Sequence, residues 1–140
     1  MKIQNFILIL LISTLIIGCA STVKDKSAVE NGNMALIKGL EMESLKQLLA
    51  PIGATKGIVI RQINSSEDDS DKLEVLLPQG QHSLSLLCSY QIGGGYIKSQ
   101  AGKISLSVKA GNVYQLEADL TNIQTCNVTS KDLGKYSSVM

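Results

Sequence analysis

The sequence is poor in aromatic residues and has little net charge. It contains no tryptophan, one phenylalanine and four tyrosines in 140 residues, so a platform for stacking nucleic-acid bases or sugars is poorly supplied. Thirteen basic residues face twelve acidic ones, which leaves no electrostatic field to attract nucleic acid or anionic lipid head groups. We therefore expect no nucleic-acid partner.

Residues that could carry catalysis or bind metal are also scarce. His82 is the only histidine and no Gly-x-Ser-x-Gly segment occurs, so a structural role at the start of a strand is favoured over catalysis. The acidic run 67–71 lacks the EF-hand pattern, which favours a solvated turn over a Ca²⁺ site. The run 93–95 is three glycines without a following Lys-Ser/Thr pair, which favours a flexible loop over a phosphate cradle. We predict no catalytic residue, no metal and no cofactor.

The first eighteen residues have the pattern of a secretion signal. Residues 1–5 carry Lys2, and residues 6–17 form an apolar run interrupted only by Ser13 and Thr14. As a helix this run would cover about 18 Å, well short of the roughly 30 Å hydrocarbon core of a bilayer. We therefore predict a signal helix over 1–18 that is removed on export, leaving a chain of no net formal charge.

The segment Ile16-Ile17-Gly18-Cys19 resembles the lipobox of bacterial lipoproteins. The resemblance implies cleavage between Gly18 and Cys19, a diacylglyceryl thioether on the Cys19 thiol and an N-acyl chain on its amino group. Such chains anchor a protein stably to a membrane. Ala20 implies delivery to the outer membrane, facing the periplasm, with the inner membrane less favoured. The alternative is an ordinary secretion signal that ends near a cysteine.

Assigning Cys19 to the lipid leaves Cys88 and Cys126 as an even pair in an oxidising compartment. Cys88 falls on the apolar side of an alternating strand, and Cys126 shares a side with Val128, so both should face the core. A disulfide between them would close a loop of about 40 residues and stabilise the fold by roughly 3–4 kcal/mol. The alternative is a redox or metal pair, for which C-x-x-C spacing and histidine ligands are lacking.

The mature chain divides into three parts by composition. Residues 19–33 are polar and small, which predicts a flexible tether. Residues 34–129 have strand periodicity, apart from a predicted helix over 41–50, where leucines follow helical spacing before Pro51. Residues 130–140 are polar without a period, which predicts a frayed tail. The helix, marked by Leu40, Leu45, Leu48 and Leu49, should cover the domain; docking a partner is the alternative.

Short runs of alternating apolar residues predict an antiparallel β-sandwich. In 81–90, alternate residues from His82 to Tyr90 should face inward and the intervening residues outward. Turns are predicted at 78–80 and at 110–112, the latter as a hairpin. The predicted strands are 34–38, 57–63, 73–77, 81–90, 103–109, 113–120 and 124–129. About seven strands with one short inserted helix make the chain mainly β.

Residues 73–90, LEVLLPQGQHSLSLLCSY, resemble the strand, Pro-x-Gly-x-His turn and outgoing strand of PEGA-like and transthyretin-like modules in small bacterial lipoproteins. Residues 108–116, VKAGNVYQL, resemble the hairpin of such proteins, and the Cys-x-Val at 126–128 is similar too. The resemblance covers about 57–129 and departs at 40–51, where the helical segment has no counterpart. It implies a non-catalytic sandwich domain.

These observations favour a lipid-anchored, non-enzymatic envelope protein that binds or supports another envelope protein. Its membrane contact would be the lipid on Cys19, and an accessory role in a secretion complex or another envelope-spanning complex falls within this class. The alternative is a periplasmic ligand-binding lipoprotein that holds a metal, a glycan or a peptidoglycan fragment. An enzyme has the least support.

Overall fold

The computed structural model describes residues 22–41, 55–68, 70–92, 96–118 and 124–137. Over these ranges the chain is mainly β, with two sheets and one short helix. No helix in the described ranges is long and apolar enough to cross a bilayer. The elements are α1 (Ser27–Glu30), β1 (Ala35–Lys38), β2 (Thr55–Ile63), β3 (Glu74–Leu77), β4 (Gly80–Ile92), β5 (Tyr96–Val108), β6 (Asn112–Ala118) and β7 (Val128–Lys135).

The alternation predicted for β4 is confirmed. Every second side chain from His82 to Tyr90 is buried, and the side chains between them are half-buried or exposed. The strand is longer than predicted because it pairs with β5 along its whole length, from Gly80 opposite Val108 to Ile92 opposite Tyr96.

The described strands form a four-stranded sheet in the order β3-β1-β6-β7 and a three-stranded sheet in the order β2-β4-β5. All neighbours are antiparallel except β1 and β6, which run parallel, so the prediction of a wholly antiparallel sandwich is wrong at this pair. Parallel neighbours need a long connection, and Lys38 and its neighbour Gln115 are 77 residues apart.

The turn at 110–112 is not a hairpin. It passes the chain from β5 in the three-stranded sheet to β6 in the four-stranded sheet. The Gly111 N–H donates to the Met34 carbonyl at 2.8 Å, so the turn is held by the start of β1 instead of by a strand partner. Gly111 has a φ of 86°, which favours glycine at this position. The turn between β3 and β4 likewise passes the chain from one sheet to the other.

The inner faces of the two sheets share one hydrophobic core, as in a β-sandwich. Its most deeply buried large side chains include Ile37 and Leu116 from one sheet and Ile58, Leu84 and Tyr90 from the other. Burying such a side chain fully contributes about 1.5–3 kcal/mol relative to exposure. Alternating apolar residues in both sheets therefore dictate that the sheets pack face to face.

One long edge of the sandwich is closed where the chain crosses between the sheets. After β1, Leu40 makes an antiparallel bridge to Ile58 of β2, and before β3, Lys72 makes another to Ile60. Gly39 lies so close to the Ile58 carbonyl that a Cβ atom there would collide with it. The two bridges cover the outer edge of β2, which would otherwise be free to pair with another chain. Leu40 therefore belongs to the sheet edge, while residues 42–50 of the predicted helix lie outside the described residues.

The segment before β1 is bound to the four-stranded sheet. The Glu74 carboxylate accepts the Val23 N–H at 3.2 Å and lies 3.2 Å from the Lys26 ammonium group. The side chain of Glu74 is only 10% exposed, so water screens this contact less than a surface ion pair.

A second small cluster of apolar side chains holds the same segment in place. Val29 of α1 is 1% exposed and packs against Leu36 and Val113 on the outer face of the four-stranded sheet, with Val23 and Tyr136 alongside. The described part of the predicted flexible tether, residues 22–33, is therefore docked. The composition of the segment did not indicate this docking, because few of its residues are apolar and the strands that it contacts are distant in the sequence.

The last strand is shifted along the chain from its predicted range of 124–129. It begins at Val128, so Cys126 lies before the strand, and it extends beyond the predicted end. β7 pairs with β6 as far as Lys135 opposite Asn112, within the segment 130–140 predicted as a frayed tail. Nearly all β7 side chains are exposed, so the strand shows no apolar alternation, and main-chain pairing with β6 determines its conformation. Residues 1–21, including the predicted signal segment, lie outside the described residues.

Candidate functional site

The outer face of the three-stranded sheet carries short, mostly polar side chains. The Ser89 and Ser99 hydroxyl oxygens, from opposite positions on β4 and β5, are 3.1 Å apart. The outward residues of β4 are Ser83, Ser85, Leu87 and Ser89, and their partners on β5 are Ser105, Lys103, Ala101 and Ser99. A face of small side chains leaves the sheet open to close approach by another molecule.

An open groove of about 500 Å³ lies on this face. Gln62 is opposite Ser85, and Ser85 is opposite Lys103, so one row of polar residues crosses all three strands. Leu87 and Ala101, also opposite each other, form an apolar surface beside this row. The lining residues are Arg61, Gln62, Ser85, Leu86, Leu87, Ala101, Gly102 and Lys103, and we call this site the Arg61–Lys103 groove.

A β-bulge in β2 determines where Arg61 lies. The register shifts between Ile60 and Gln62, which leaves Arg61 as the extra residue. Bulges bend a strand and redirect its side chains, and they are frequent beside binding sites. The Arg61 Nε atom lies 3.0 Å from an Asp71 carboxylate oxygen. The two side chains are 39% and 45% exposed, so solvent screens the pair and it contributes little to stability.

The polar side chains of the groove are all able to donate hydrogen bonds. Arg61 and Lys103 are cationic, Ser85 offers a hydroxyl and Gln62 an amide. The Asp71 carboxylate that pairs with Arg61 is exposed and is not one of the lining residues. Guanidinium and ammonium groups bind carboxylates and phosphates through charge-assisted hydrogen bonds. The groove is therefore suited to binding an anionic group beside a small apolar surface.

His82 does not line this groove. It is 8% exposed, its Nε2 atom lies 2.8 Å from the Pro78 carbonyl oxygen, and its Nδ1 atom lies 3.1 Å from the Asn64 side-chain nitrogen. These contacts correspond to a neutral ring that donates from Nε2 to Pro78 and accepts from Asn64 at Nδ1. Both ring nitrogens are thus used in contacts between turns, which supports the structural role predicted for this residue.

The structure brings the predicted cysteine pair together. Cys88 and Cys126 are buried at disulfide distance, with Cα atoms 5.5 Å apart. Gly102 of β5 leaves room for this contact, because a Cβ atom there would lie 2.5 Å from the Cys126 sulfur and 2.7 Å from its carbonyl oxygen. The pair and Gly102 therefore form one packing unit beneath the groove, to which Gly102 also contributes.

The acidic turn is held by hydrogen bonds of its own. The Lys72 ammonium group, 2.9 Å from Asp68, and then the Ser70 hydroxyl and N–H lower the pKa of Asp68 from 3.8 to about 2. Among the described residues, no group of three or more His, Cys, Asp or Glu side chains could hold a metal ion.

Sequence reasoning missed the groove residues Arg61, Gln62 and Lys103. The strand predicted over 57–63 contains two long polar residues in succession at 61–62, which interrupt its apolar pattern. Such an interruption indicates a bulge and could have revealed the site. The predicted cleavage and lipid site at Gly18 and Cys19 and the glycine loop 93–95 lie outside the described residues.

Comparisons of the chain with protein-family models, curated proteins and solved structures found no match. Fold and site thus define the class: a two-sheet, β-sandwich-like domain with a cation-lined groove on one outer face.

Proposed function

We propose that this chain is a lipid-anchored protein of the bacterial cell envelope that has no enzymatic activity and binds or supports another envelope protein. Cleavage between Gly18 and Cys19 would leave Cys19 with diacylglyceryl and N-acyl chains in the periplasmic face of the outer membrane. The body would be a transthyretin-like or PEGA-like sandwich, an assignment supported by the sequence segments 73–90 and 108–116 together with the two-sheet fold.

The pairing of Cys88 with Cys126, which leaves Cys19 as the remaining cysteine of the sequence, is the observation that carries this proposal. Cys88 and Cys126 are at disulfide distance in the core, which suits an exported protein because disulfides persist in oxidising compartments. The third cysteine, Cys19, follows a segment with the length and pattern of a signal peptide. A use is thereby assigned to each cysteine in the chain.

The Arg61–Lys103 groove supports the binding role. Its two cations, Arg61 and Lys103, and the apolar pair Leu87 and Ala101 fit an extended protein segment that carries a carboxylate beside an apolar side chain. We propose that the partner protein presents such a segment to this face.

A periplasmic ligand-binding function is the second candidate, and the volume of the groove favours it. About 500 Å³ is within the range of pockets that hold small ligands. Peptidoglycan fragments bear carboxylates and would match the two cations of the groove. A glycan without an acidic group would use only the Ser85 and Gln62 side chains.

The anchor is tested by the intact mass of the protein purified from its native envelope. We expect processing before Cys19 and a mass increase that corresponds to a diacylglyceryl group and an acyl chain. The Cys19→Ser variant should lack both and leave the membrane fraction. A Cys19→Ser protein that is still processed, acylated and membrane-bound would overturn the proposal.

The partner is tested by photo-crosslinking in cells. A benzophenone amino acid in place of Leu87 should capture one recurrent envelope protein, and the same group at Leu133, which is 44% exposed on β7, serves as the control position. The crosslink should be lost when Arg61→Gln and Lys103→Gln are combined. If nothing is captured and peptidoglycan fragments raise the melting temperature of wild type but not of the double variant, the ligand-binding function replaces the first one.

A further inference from the structure

We infer that the partner's extended segment binds as an added strand along the outer edge of β5, so that the three-stranded sheet gains a fourth strand. This inference rests on the proposed binding function. It deepens that function by naming the mode of binding, which is main-chain pairing at a strand edge, and the feature that selects the partner, which is an acidic side chain opposite Lys103.

The other edge strands of the two described sheets are protected against such pairing. Natural proteins protect sheet edges by covering them, shortening them or placing bulges in them, because free N–H and C=O groups otherwise pair with another chain. β2 is covered by the bridges from Leu40 and Lys72, and β3 has only four residues. β7 has a bulge at Leu133, and the Gly134 N–H that follows it donates to the Asp132 carboxylate at 2.8 Å.

β5 lacks these protections. It runs for 13 residues without proline and pairs with β4 without a shift of register. In the part of the chain that the structure describes, β4 is its only strand neighbour, and no main-chain hydrogen bond from a turn or loop reaches residues 99–107. A long, regular edge of this kind is the acceptor used in β-strand addition.

The position beside β5 faces an uncovered part of β7. The two strands lie on the same side of the sandwich, with some of their Cα atoms within 8 Å of each other. Ser130 is opposite Leu116 and Asp132 is opposite Tyr114, so these four side chains share the inner face of the four-stranded sheet. Leu116 and Tyr114 are buried, whereas Ser130 and Asp132 are exposed. The four-stranded sheet thus extends beyond the three-stranded sheet, and a strand added to β5 would lie over β7.

The hydrophobic core is also incompletely covered on this side. Ile104 of β5 and Val128 of β7 pack against the core but remain half-buried, although Leu106 and Val108, on the same face of β5 as Ile104, are buried. Apolar side chains on the inner side of an added strand would cover Ile104 and Val128. The segment should therefore be apolar on its inner side.

Charge favours another protein over a second copy of this chain. β5 contains Lys98 and Lys103 and no acidic residue. The outward residues of β5 from 99 to 107 are Ser, Ala, Lys, Ser and Ser, so if two copies paired through β5, Lys103 would meet no carboxylate on the other copy. Opposite side chains on neighbouring strands have Cβ atoms about 4.5–5.5 Å apart, which allows an Asp or Glu of a partner strand to pair with Lys103. Arg61 lies on β2, two strands away, so Lys103 is the cation that faces the added strand.

The test is photo-crosslinking in cells from two positions of the full-length protein. The benzophenone amino acid replaces Ser99 in one variant and Ser107 in another, both exposed on the outward side of β5. We expect both to capture the same envelope protein. Peptide mass spectrometry should place the two crosslinks in one segment of that protein, about eight residues apart, because paired strands have the same rise per residue. Lys131, exposed on the outer face of β7, is the control position and should capture nothing.

Substitutions at Lys103 test the selecting charge. Lys103→Glu should reduce both crosslinks at least tenfold, since it places a like charge opposite the acid of the partner, and Lys103→Arg should retain them. Lys103 is exposed, so neither substitution removes a core contact. Equal crosslinking in the two variants would overturn the assignment of an acidic side chain.

The pattern of crosslinks separates this inference from the proposed function. Capture at Leu87 with none at 99 and 107, or with crosslinks scattered over the partner, overturns strand addition and leaves the proposed function standing. A second copy of this chain as the captured protein overturns the choice of partner. If positions 87, 99 and 107 all capture nothing, both proposals are wrong.

Discussion

The Glu74 carboxylate accepts the main-chain N–H of Val23 at 3.2 Å across 51 residues of sequence. With the Lys26 ammonium group on its other oxygen, the same carboxylate binds a segment that lacks the composition of a structured element. The strand β3 is thereby connected to the part of the chain that precedes the first sheet residue.

Replacing Glu74 by alanine should release the segment at 22–26. Losing hydrogen bonds to a charged group costs about 1.5 kcal/mol or more of binding free energy. The population of molecules in which the segment has opened should therefore rise roughly tenfold. The measurement is the rate of tryptic cleavage after Lys24 and Lys26 under native conditions. Glu117→Ala, an exposed acid on the same sheet, is the control and should leave the rate unchanged. Equal rates for the two variants would contradict the binding role of Glu74.

His82→Ala should destabilise the fold. It leaves the Pro78 carbonyl and the Asn64 side chain without their contacts to the ring, at a cost of about 1–3 kcal/mol. Urea unfolding measures this difference, with Gln81→Ala on the adjacent, exposed position as the control. A His82→Ala protein as stable as wild type would show that the two contacts contribute nothing net.

Gly102→Ala should destabilise the protein through Cys126. The added methyl group must displace the Cys126 sulfur and carbonyl, and overpacking of this kind costs about 1–3 kcal/mol. Replacing both Cys88 and Cys126 by alanine should cost roughly 3–4 kcal/mol on its own if the pair is oxidised. In that background, Gly102→Ala should cost less than in wild type, as a double-mutant cycle of unfolding free energies will show. If the two changes in unfolding free energy are strictly additive, the added methyl group does not act through Cys126.

Asp68 should titrate at an unusually low pH. The chemical shifts of its β-protons or its carboxyl carbon should report a pKa of about 2, because Lys72 and Ser70 stabilise the ionised form. Lys72→Met should move the midpoint up towards the ordinary value of about 3.9. Because the folded pKa is lowered, the contribution of this group to stability is present above pH 3.8 and is lost as the pH falls towards 2. If the titration midpoint of Asp68 is unchanged in Lys72→Met, the hydrogen bonds from Ser70 account for its lowered pKa.

The strands whose residues are exposed on one side and buried on the other could be predicted from the sequence. The alternation from His82 to Tyr90 has a direct physical cause, since successive strand side chains point to opposite faces. The same reasoning correctly put Cys88 on an inward face. Cys126 is also buried and at disulfide distance from Cys88, but it precedes β7, so strand alternation does not explain its burial.

Elements stabilised by distant partners could not be predicted in this way. β7 is polar on both sides and takes its conformation from main-chain bonds to β6, and residues 22–33 depend on Glu74 and on an apolar patch formed by Leu36 and Val113. The groove was missed for a different reason: the strand over 57–63 was predicted as regular, although the two long polar residues at 61–62 interrupt its apolar pattern at the bulge. The hairpin predicted at Gly111 was wrong because a short turn can either join two strands of one sheet or pass the chain from one sheet to the other.

The parallel pairing of β1 with β6 has a consequence for the order in which the protein folds. β1 is an interior strand, but its neighbour β6 is synthesised only after most of the chain, with Lys38 and Gln115 separated by 77 residues. Contacts between such distant residues close large loops and slow folding. Until residues 112–118 have emerged, β1 has an unpaired edge and the four-stranded sheet cannot be completed. Under the proposed export, this delay would keep the chain unfolded while it crosses the membrane, because the sandwich cannot close before its C-terminal strands have followed.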